Sequence, residues 1–101
     1  MYMKVMRADR KVIVAVCDCD CIDKVFEDDE TGRILDLKAH ASFYRGERAT
    51  PEQVRVRLRD ADSINLVGEK AVAIGIELGL VKPEGVFRIC GVPHAQAYLA
   101  E

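Results

Sequence analysis

The chain has 101 residues, of which 50% are apolar and 32% are charged, and its formal net charge is −2. This length fits one domain, and no apolar run approaches the roughly 18 residues of a membrane span. The acidic balance argues against a uniformly basic nucleic-acid binder but allows a local basic patch. No signal-peptide pattern follows Met1, so we expect a soluble, cytoplasmic protein. The charge-rich composition is compatible with a thermophile.

Two strands are predicted at the start of the chain, over residues 2–8 and 11–17. Asp9-Arg10 lies between them, where a tight hairpin turn belongs, although the glycine that such turns prefer is absent. Residues 12–16 form a nearly continuous run of β-branched side chains, which is typical of a strand buried on both faces.

The next segment has a weaker pattern. A short helical turn is expected around residues 22–26, and residues 33–38 alternate apolar and polar side chains, which predicts a third strand. Residues 39–49 show no clear periodicity. Phe43 and Tyr44 are expected to anchor them to the core.

A helix is predicted to begin after Thr50, which can cap it, with Pro51 in the first turn and Gln53 completing a capping box. Residues 54–59 are ambiguous, because they alternate with the period of two that strands show. The start signal favours a helix for this segment.

The longest helix is predicted over residues 63–78. Apolar side chains recur along it at spacings of three and four, as in one buried stripe. The stripe consists of Ile64, Val67, Ala71, Ile74 and Leu78. Gly79 and Pro83 then supply an end signal. The alternative is a strand over residues 64–67 followed by a shorter helix.

The chain ends with two further predicted strands, over residues 86–90 and 94–99. Strands, then helices, then strands, without regular alternation, indicate an α+β fold. We therefore expect a single domain over residues 1–101, with a mostly antiparallel sheet and two main helices packed on it.

Four cysteines offer a weak zinc hypothesis: Cys17, Cys19, Cys21 and Cys90. The spacing of the first three argues against zinc, because structural sites favour two to four residues between paired cysteines. The favoured interpretation is that Cys17 and Cys90 are small core residues and the other two lie at a strand end, with no metal. A disulfide or a redox role is the third alternative.

The charges are distributed unevenly along the chain. Residues 18–30 carry seven acids and one base, whereas residues 38–59 carry six bases and two acids. Such asymmetry is usually a solvated surface, but arginines one helical turn apart can contact phosphates. The candidate RNA contacts are Arg48, Arg55, Arg57 and Arg59, with Tyr44 as a stacking ring. In the plainer alternative, these arginines pair with the protein's own acids.

The chain as a whole resembles a small archaeal family of about this length that is catalogued as a domain of unknown function. The likeness is carried by Val16-Cys17-Asp18, Phe43-Tyr44, Asn65-Leu66-Val67-Gly68-Glu69, Ala71-Val72 and Gly91-Val92-Pro93-His94-Ala95-Gln96. The resemblance implies an archaeal, cytoplasmic protein and brings no established activity. Cys17 matches the family pattern whereas Cys19, Cys21 and Cys90 do not, which weakens the zinc hypothesis.

A polar cluster is expected among the family-like residues. Asn65 and Glu69 share a face of the predicted helix, and His94 and Gln96 point to the same side of the last strand. If helix and strand are neighbours, the four side chains meet. They would then form a structural network, a partner or RNA contact, or a His–Glu acid–base pair.

Three functions follow from these candidates. The favoured hypothesis is a non-enzymatic binding module whose partner is RNA or the translation machinery, with no cofactor and no membrane contact. The second is a small hydrolase or transferase that uses His94 and Glu69, which requires both in one pocket. The third is a protein-interaction subunit with an exposed apolar patch.

Overall fold

The structure is a computed structural model, and it describes residues 1–99. The elements in chain order are β1 (Tyr2–Ala8), β2 (Lys11–Cys17), β3 (Val25–Glu27), β4 (Ile34–Asp36), α1 (Ala41–Tyr44), β5 (Glu47–Arg48), α2 (Pro51–Arg59), β6 (Ser63–Val67), α3 (Glu69–Glu77), a 3-10 turn (Pro83–Gly85), β7 (Phe87–Ile89) and β8 (Val92–Tyr98). The predicted α+β class, with a mostly antiparallel sheet and two main helices, is confirmed.

One six-stranded sheet organises the molecule, with the strand order β5-β1-β2-β6-β8-β7. The pair β2–β6 is parallel, and the other neighbours are antiparallel. Strands β3 and β4 form a separate two-stranded hairpin. The prediction that β2 is buried on both faces is confirmed, since the side chains of residues 14–17 are fully buried.

The helices α2 and α3 cover one face of the sheet, which we call the helix face. Val14, Val16 and Leu66 point into this layer. The opposite face is partly covered by residues 18–45, which we call the flap. Buried residues of the flap pack there against Ala15, Cys17, Val67 and Ile89; they are Cys21, Leu35, Leu37 and Tyr44.

The turn between β1 and β2 achieves a tight hairpin without glycine. Asp9 and Arg10 both have positive φ angles, of 51° and 67°. Two successive left-handed residues match the twist of the strands that they join. Asp is among the side chains that tolerate this region best, whereas Arg adopts it at some cost.

The predicted start of α2 is confirmed. The Thr50 side chain accepts a hydrogen bond from the Gln53 backbone N–H, and the Gln53 side chain accepts one from the Thr50 backbone N–H. Val54 and Leu58 are fully buried on the inner side of the helix. The period-two pattern in residues 54–59 is therefore a chance feature of a helix.

The predicted helix over residues 63–78 is wrong in its first third, and the alternative is correct. Residues 63–67 form β6, which pairs in register with both β2 and β8. The helix begins only after Gly68, whose φ of 105° no helix contains. Two strand partners outweigh the helical periodicity of the side chains, because pairing satisfies every backbone group of a buried segment. The helical turn predicted around residues 22–26 is wrong in its second half, since β3 begins at Val25, whereas residues 21–23 do form a turn.

The start of α3 is held by the side chain of the residue that follows β2. The buried Asp18 carboxylate accepts hydrogen bonds from the backbone N–H groups of Lys70 and Ala71, both at 2.9 Å. These are two of the donors that a helix start leaves without an internal partner. Gly68 gives the carboxylate room, since a Cβ there would lie 2.3 Å from Asp18 Cγ.

Among residues 1–99, no helix is both long enough and apolar enough to cross a membrane.

Candidate functional site

A cavity of about 580 Å³ lies between the sheet and the flap. We call it the sheet cavity. Its floor consists of Asn65 on β6 with His94 and Gln96 on β8. Its walls come from the flap and comprise Ile34, Leu35, Asp36, Leu37, His40, Phe43 and Tyr44. The structure thus brings three of the four residues of the predicted polar cluster together.

Strand register explains this floor. Asn65 is paired directly with Gln96, and Val67 with His94. Directly opposed residues in an antiparallel pair point to the same face, as do residues two apart on one strand. Asn65, Gln96 and His94 are therefore presented together on the flap side of the sheet.

The imidazole of His94 is partly buried within this floor. Burial lowers the pKa of His94 below its ordinary value, because a charged ring would lose its hydration. Its Nε2 atom is buried and has no hydrogen-bond partner in the described part of the chain. The ring is therefore neutral at physiological pH and has unused hydrogen-bonding capacity.

Glu69, the fourth residue of the predicted cluster, does not join it. Glu69 opens α3, and its carboxylate accepts a hydrogen bond from Arg88 at 2.7 Å. It does not line the sheet cavity. The expectation that Glu69 lies beside Asn65 assumed that both residues are on one helix, four positions apart. Asn65 lies instead on β6, so the two side chains do not share a helix face.

Tyr44 belongs to the sheet cavity and not to an arginine surface. Its side chain is buried, and its ring packs edge-to-face on Phe43 with the centroids 5.1 Å apart. Burial, with a smaller effect of Cys17, raises the pKa of Tyr44 to about 12. The proposed stacking role of Tyr44 beside surface arginines is therefore wrong.

Several wall residues of the sheet cavity were not predicted to belong to a site. Asp36, Leu37 and His40 line the cavity from the flap, but none of them was among the candidate site residues. The Asp36 carboxylate accepts hydrogen bonds from the backbone N–H groups of Lys38 and Ala39, at 3.1 and 2.7 Å. An Asp that is followed by such a turn is the local signal that was available.

A second concavity, of about 660 Å³, runs between α2 and the β5–β1 edge of the sheet. We call it the edge groove. Arg48 and Arg57 line it together with the partly exposed apolar side chains of Val5 and Val56. Within residues 1–99 neither arginine forms an ion pair, since each has no carboxylate oxygen within 4 Å.

The other two predicted arginines point elsewhere. Arg55 donates two hydrogen bonds to Glu77 of α3, at 2.7 and 3.2 Å, and lies 3.6 Å from Glu52. The hydrogen bonds from Arg55 also lower the pKa of Glu77, and the charge of Arg59 contributes to this shift. Arg55 and Arg59 therefore face the protein's own carboxylate.

Tyr2 does not line the edge groove, but it lies beside Arg48, which does, and the sequence did not suggest it. The guanidinium groups of Arg45 and Arg48 lie 5.7 and 5.8 Å from the centroid of its ring. Arg45 also forms an ion pair with Asp23. The pairing of β5 with β1 creates this arrangement by placing Arg48 opposite Tyr2.

The four cysteines are free thiols in different environments. Cys17 and Cys21 are buried in the core below the flap, and burial raises the pKa of each to about 12. Cys19 is exposed, with its sulfur 3.5 Å from the Arg48 guanidinium. Cys90 is also exposed and donates to the Glu27 carbonyl, so the interpretation of Cys90 as a core residue is wrong. No group of three or more potential ligands in the described chain is placed to hold a metal ion, so the structure gives the zinc hypothesis no support.

Comparison with known proteins identifies a family without an assigned activity. No curated protein matches the chain. A solved structure described as that of an uncharacterized conserved protein from Methanopyrus kandleri is similar, with a TM-score of 0.76 and 24% identity. The match covers 99% of this chain and 92% of that chain, and at this identity it shows the fold alone. The family model described as "Protein of unknown function (DUF424)" matches residues 6–99, and the chain therefore belongs to that family.

Proposed function

We propose that the protein is a non-enzymatic binding module that contacts structured RNA, free or within the translation machinery, through the edge groove. One observation carries the proposal: Arg48 and Arg57 line the same groove and, among the described residues, neither is neutralised by an ion pair. Guanidinium groups bind phosphates with paired hydrogen bonds, and Arg is favoured for this purpose over Lys.

Tyr2 supports the same proposal as a stacking group. Its ring lies beside the guanidinium groups of Arg45 and Arg48 and is partly exposed. Aromatic rings next to cations are typical of surfaces that hold unpaired bases beside phosphates. Tyr2 therefore takes the role that the sequence suggested for Tyr44.

The enzyme hypothesis requires His94 and Glu69 to act as an acid–base pair in one pocket. His94 and Glu69 lie in separate places, and Glu69 is engaged by Arg88. Asp36 shares the sheet cavity with His94, but its carboxylate is committed to the backbone N–H groups of its own turn. These contacts favour binding over catalysis.

The test is RNA affinity as a function of salt. We expect the double variant Arg48→Glu/Arg57→Glu to bind a hairpin RNA at least about tenfold more weakly than the natural chain. We also expect the slope of log K against log salt to become shallower by about 1.5, because two phosphate contacts are lost. Fluorescence anisotropy with a labelled RNA measures both quantities.

The matched control is Lys11→Glu/Lys82→Glu, which makes the same change in charge at exposed positions outside the groove. An equal loss of affinity in this control would contradict the proposal, since it would show a response to net charge alone. Unchanged affinity in the groove variant would contradict it as well.

An exposed strand edge favours a second candidate, the protein-interaction subunit. Strand β5 pairs with Tyr2 and Met3, and within residues 1–99 no strand pairs with the rest of the outer edge of β1. Val5 and Val56 beside it are 37% and 57% exposed. An extended acidic peptide would add to such an edge and meet Arg48 and Arg57. Affinity purification with and without nuclease separates the two candidates, because only an RNA-mediated association is lost on digestion.

We place this activity in the cytoplasm of an archaeal cell. The four free thiols support the location, because reducing compartments keep cysteines unpaired. The organism of the similar solved structure, Methanopyrus kandleri, supports the origin.

A further inference from the structure

We infer that the sheet cavity is a binding site for a neutral nucleobase, supplied as a free nucleoside or as an unpaired base of an RNA. This site shares no lining residue with the edge groove, so the inference does not rest on the function proposed above. Its volume of about 580 Å³ lies in the range of small-molecule pockets.

The floor of the cavity carries unused hydrogen-bonding groups. Asn65 and Gln96 are direct cross-strand neighbours on the floor. Within residues 1–99 neither amide side chain forms a hydrogen bond, and His94 Nε2 has no partner either. Asn65 and His94 are partly buried, and such polar groups are normally paired. Each amide offers a donor beside an acceptor, which is the pattern on the edge of a nucleobase.

The charges of the residues that line the sheet cavity favour an uncharged ligand. Among residues 1–99 no Lys or Arg lines the cavity, and the one carboxylate that lines it belongs to Asp36. A phosphate placed inside would have no counter-charge and would face that carboxylate. His94 adds no positive charge, because burial holds it in the neutral form. The base itself, and not the phosphate of a nucleotide, is therefore what the cavity accepts.

The walls suit a flat ring. Leu35, Leu37 and Tyr44 are buried flap residues whose side chains line the cavity, and Phe43 packs beside them. Apolar and aromatic surfaces next to a polar floor bind planar heterocycles by stacking or edge contact while their edges form hydrogen bonds.

The experiment is an NMR titration of the full chain with adenosine, guanosine, cytidine and uridine, each up to about 5 mM, which detects even millimolar affinity. We expect saturable shifts at the backbone amides of residues 34–44, 65 and 94–96 for at least one nucleoside. The corresponding 5′-monophosphate should bind no more tightly than the nucleoside. A short single-stranded oligonucleotide forms a third arm, and tighter binding than the nucleoside would identify RNA as the source of the base.

Gln96→Ala and Asn65→Ala should each weaken binding by about tenfold. Gln96 is exposed, so its variant should fold, and circular dichroism checks this. Glu84→Ala, an exposed change outside the cavity, should leave binding unchanged. The inference is overturned if no nucleoside produces shifts, if the shifts lie outside the cavity, or if Gln96→Ala binds as the natural chain does.

Discussion

Asp18, the residue that follows β2, accepts a hydrogen bond from the backbone N–H of Ala71 on α3, at 2.9 Å. The contact joins the ends of two parallel neighbours, because α3 follows directly from β6. Crevices at the carboxyl ends of parallel strands commonly hold anions at a helix start. Here the protein's own carboxylate occupies that place, so a phosphate cannot take it.

The first prediction concerns this carboxylate. Asp18→Asn should lower the free energy of unfolding by about 1–3 kcal/mol, because a buried N–H group of the α3 start loses its acceptor. Asp20→Asn, an exposed change two residues away, should stay within about 0.5 kcal/mol of the natural chain. Urea denaturation measures both values. Equal stability of the two variants would show that the cap contributes nothing.

The second prediction concerns Gly68. Gly68→Ala should destabilise the fold by about 3 kcal/mol, because a Cβ would lie 2.3 Å from Asp18 Cγ and the φ of 105° strains any other residue. Gly85→Ala is the control, since open space surrounds its Cβ position. Thermal unfolding of both variants provides the comparison, and a mild effect at Gly68 would contradict the close approach of Asp18.

The third prediction concerns pH and His94. The folded pKa of His94 lies below its unfolded value of about 6.5. In the window between the two pKa values the unfolded chain binds more protons, so this contribution to stability is complete above pH 6.5 and is lost as pH falls. Urea midpoints measured from pH 8 to pH 5 should decline, and His94→Gln should make the decline shallower.

His40→Gln provides the matched histidine control for this series. Since it leaves His94 in place, the contribution of His94 to the pH dependence should persist. If His94→Gln showed the same slope as the natural chain, the burial of the imidazole would not be the cause.

The fourth prediction concerns the thiols. A disulfide reagent should modify Cys19 and Cys90 in the native protein and all four thiols in denaturant, since Cys17 and Cys21 are buried. Burial raises the pKa of both buried thiols to about 12, which further slows their reaction. The variant Cys19→Ser/Cys90→Ser should therefore be unreactive when folded. Rapid labelling of that variant would show that the flap opens.

Local signals were sufficient where local bonds determine the structure. The start of α2 is an example, because Thr50 and Gln53 cap each other within one turn. β2 is another, because a nearly continuous β-branched run fits few sites other than a strand inside the core. Both predictions needed no knowledge of distant residues.

β6 shows the opposite case. Its side chains fit a helical stripe continuing into α3, and only pairing with β2 and β8 makes residues 63–67 extended. Those partners are distant in the sequence, so a short window cannot contain the information. Gly68 was the one local sign, since a glycine inside a helix is unfavourable.

The candidate site was predictable in the same uneven way. The alternation of His94 and Gln96 placed both on one side correctly, because it uses the period of the strand that they occupy. Asn65 lies on the same cavity floor because it is paired with Gln96 across the strands. The sequence had instead predicted that Asn65 shares a helix face with Glu69. Phe43 and Tyr44 were expected to anchor their segment to the core, but the position of residues 34–44 over the cavity was not predictable, because it depends on a sheet face formed elsewhere in the sequence.

The parallel pairing of β2 with β6 has a consequence for how the chain reaches its native state. The two strands are neighbours at the centre of the sheet, yet residues 18–62 separate them in the sequence. Closing such a long loop is slow, and pairings of high sequence separation delay folding. During synthesis the β1–β2 hairpin therefore emerges with its apolar faces exposed to solvent. The hydrophobic core forms only when the last third of the chain has left the ribosome.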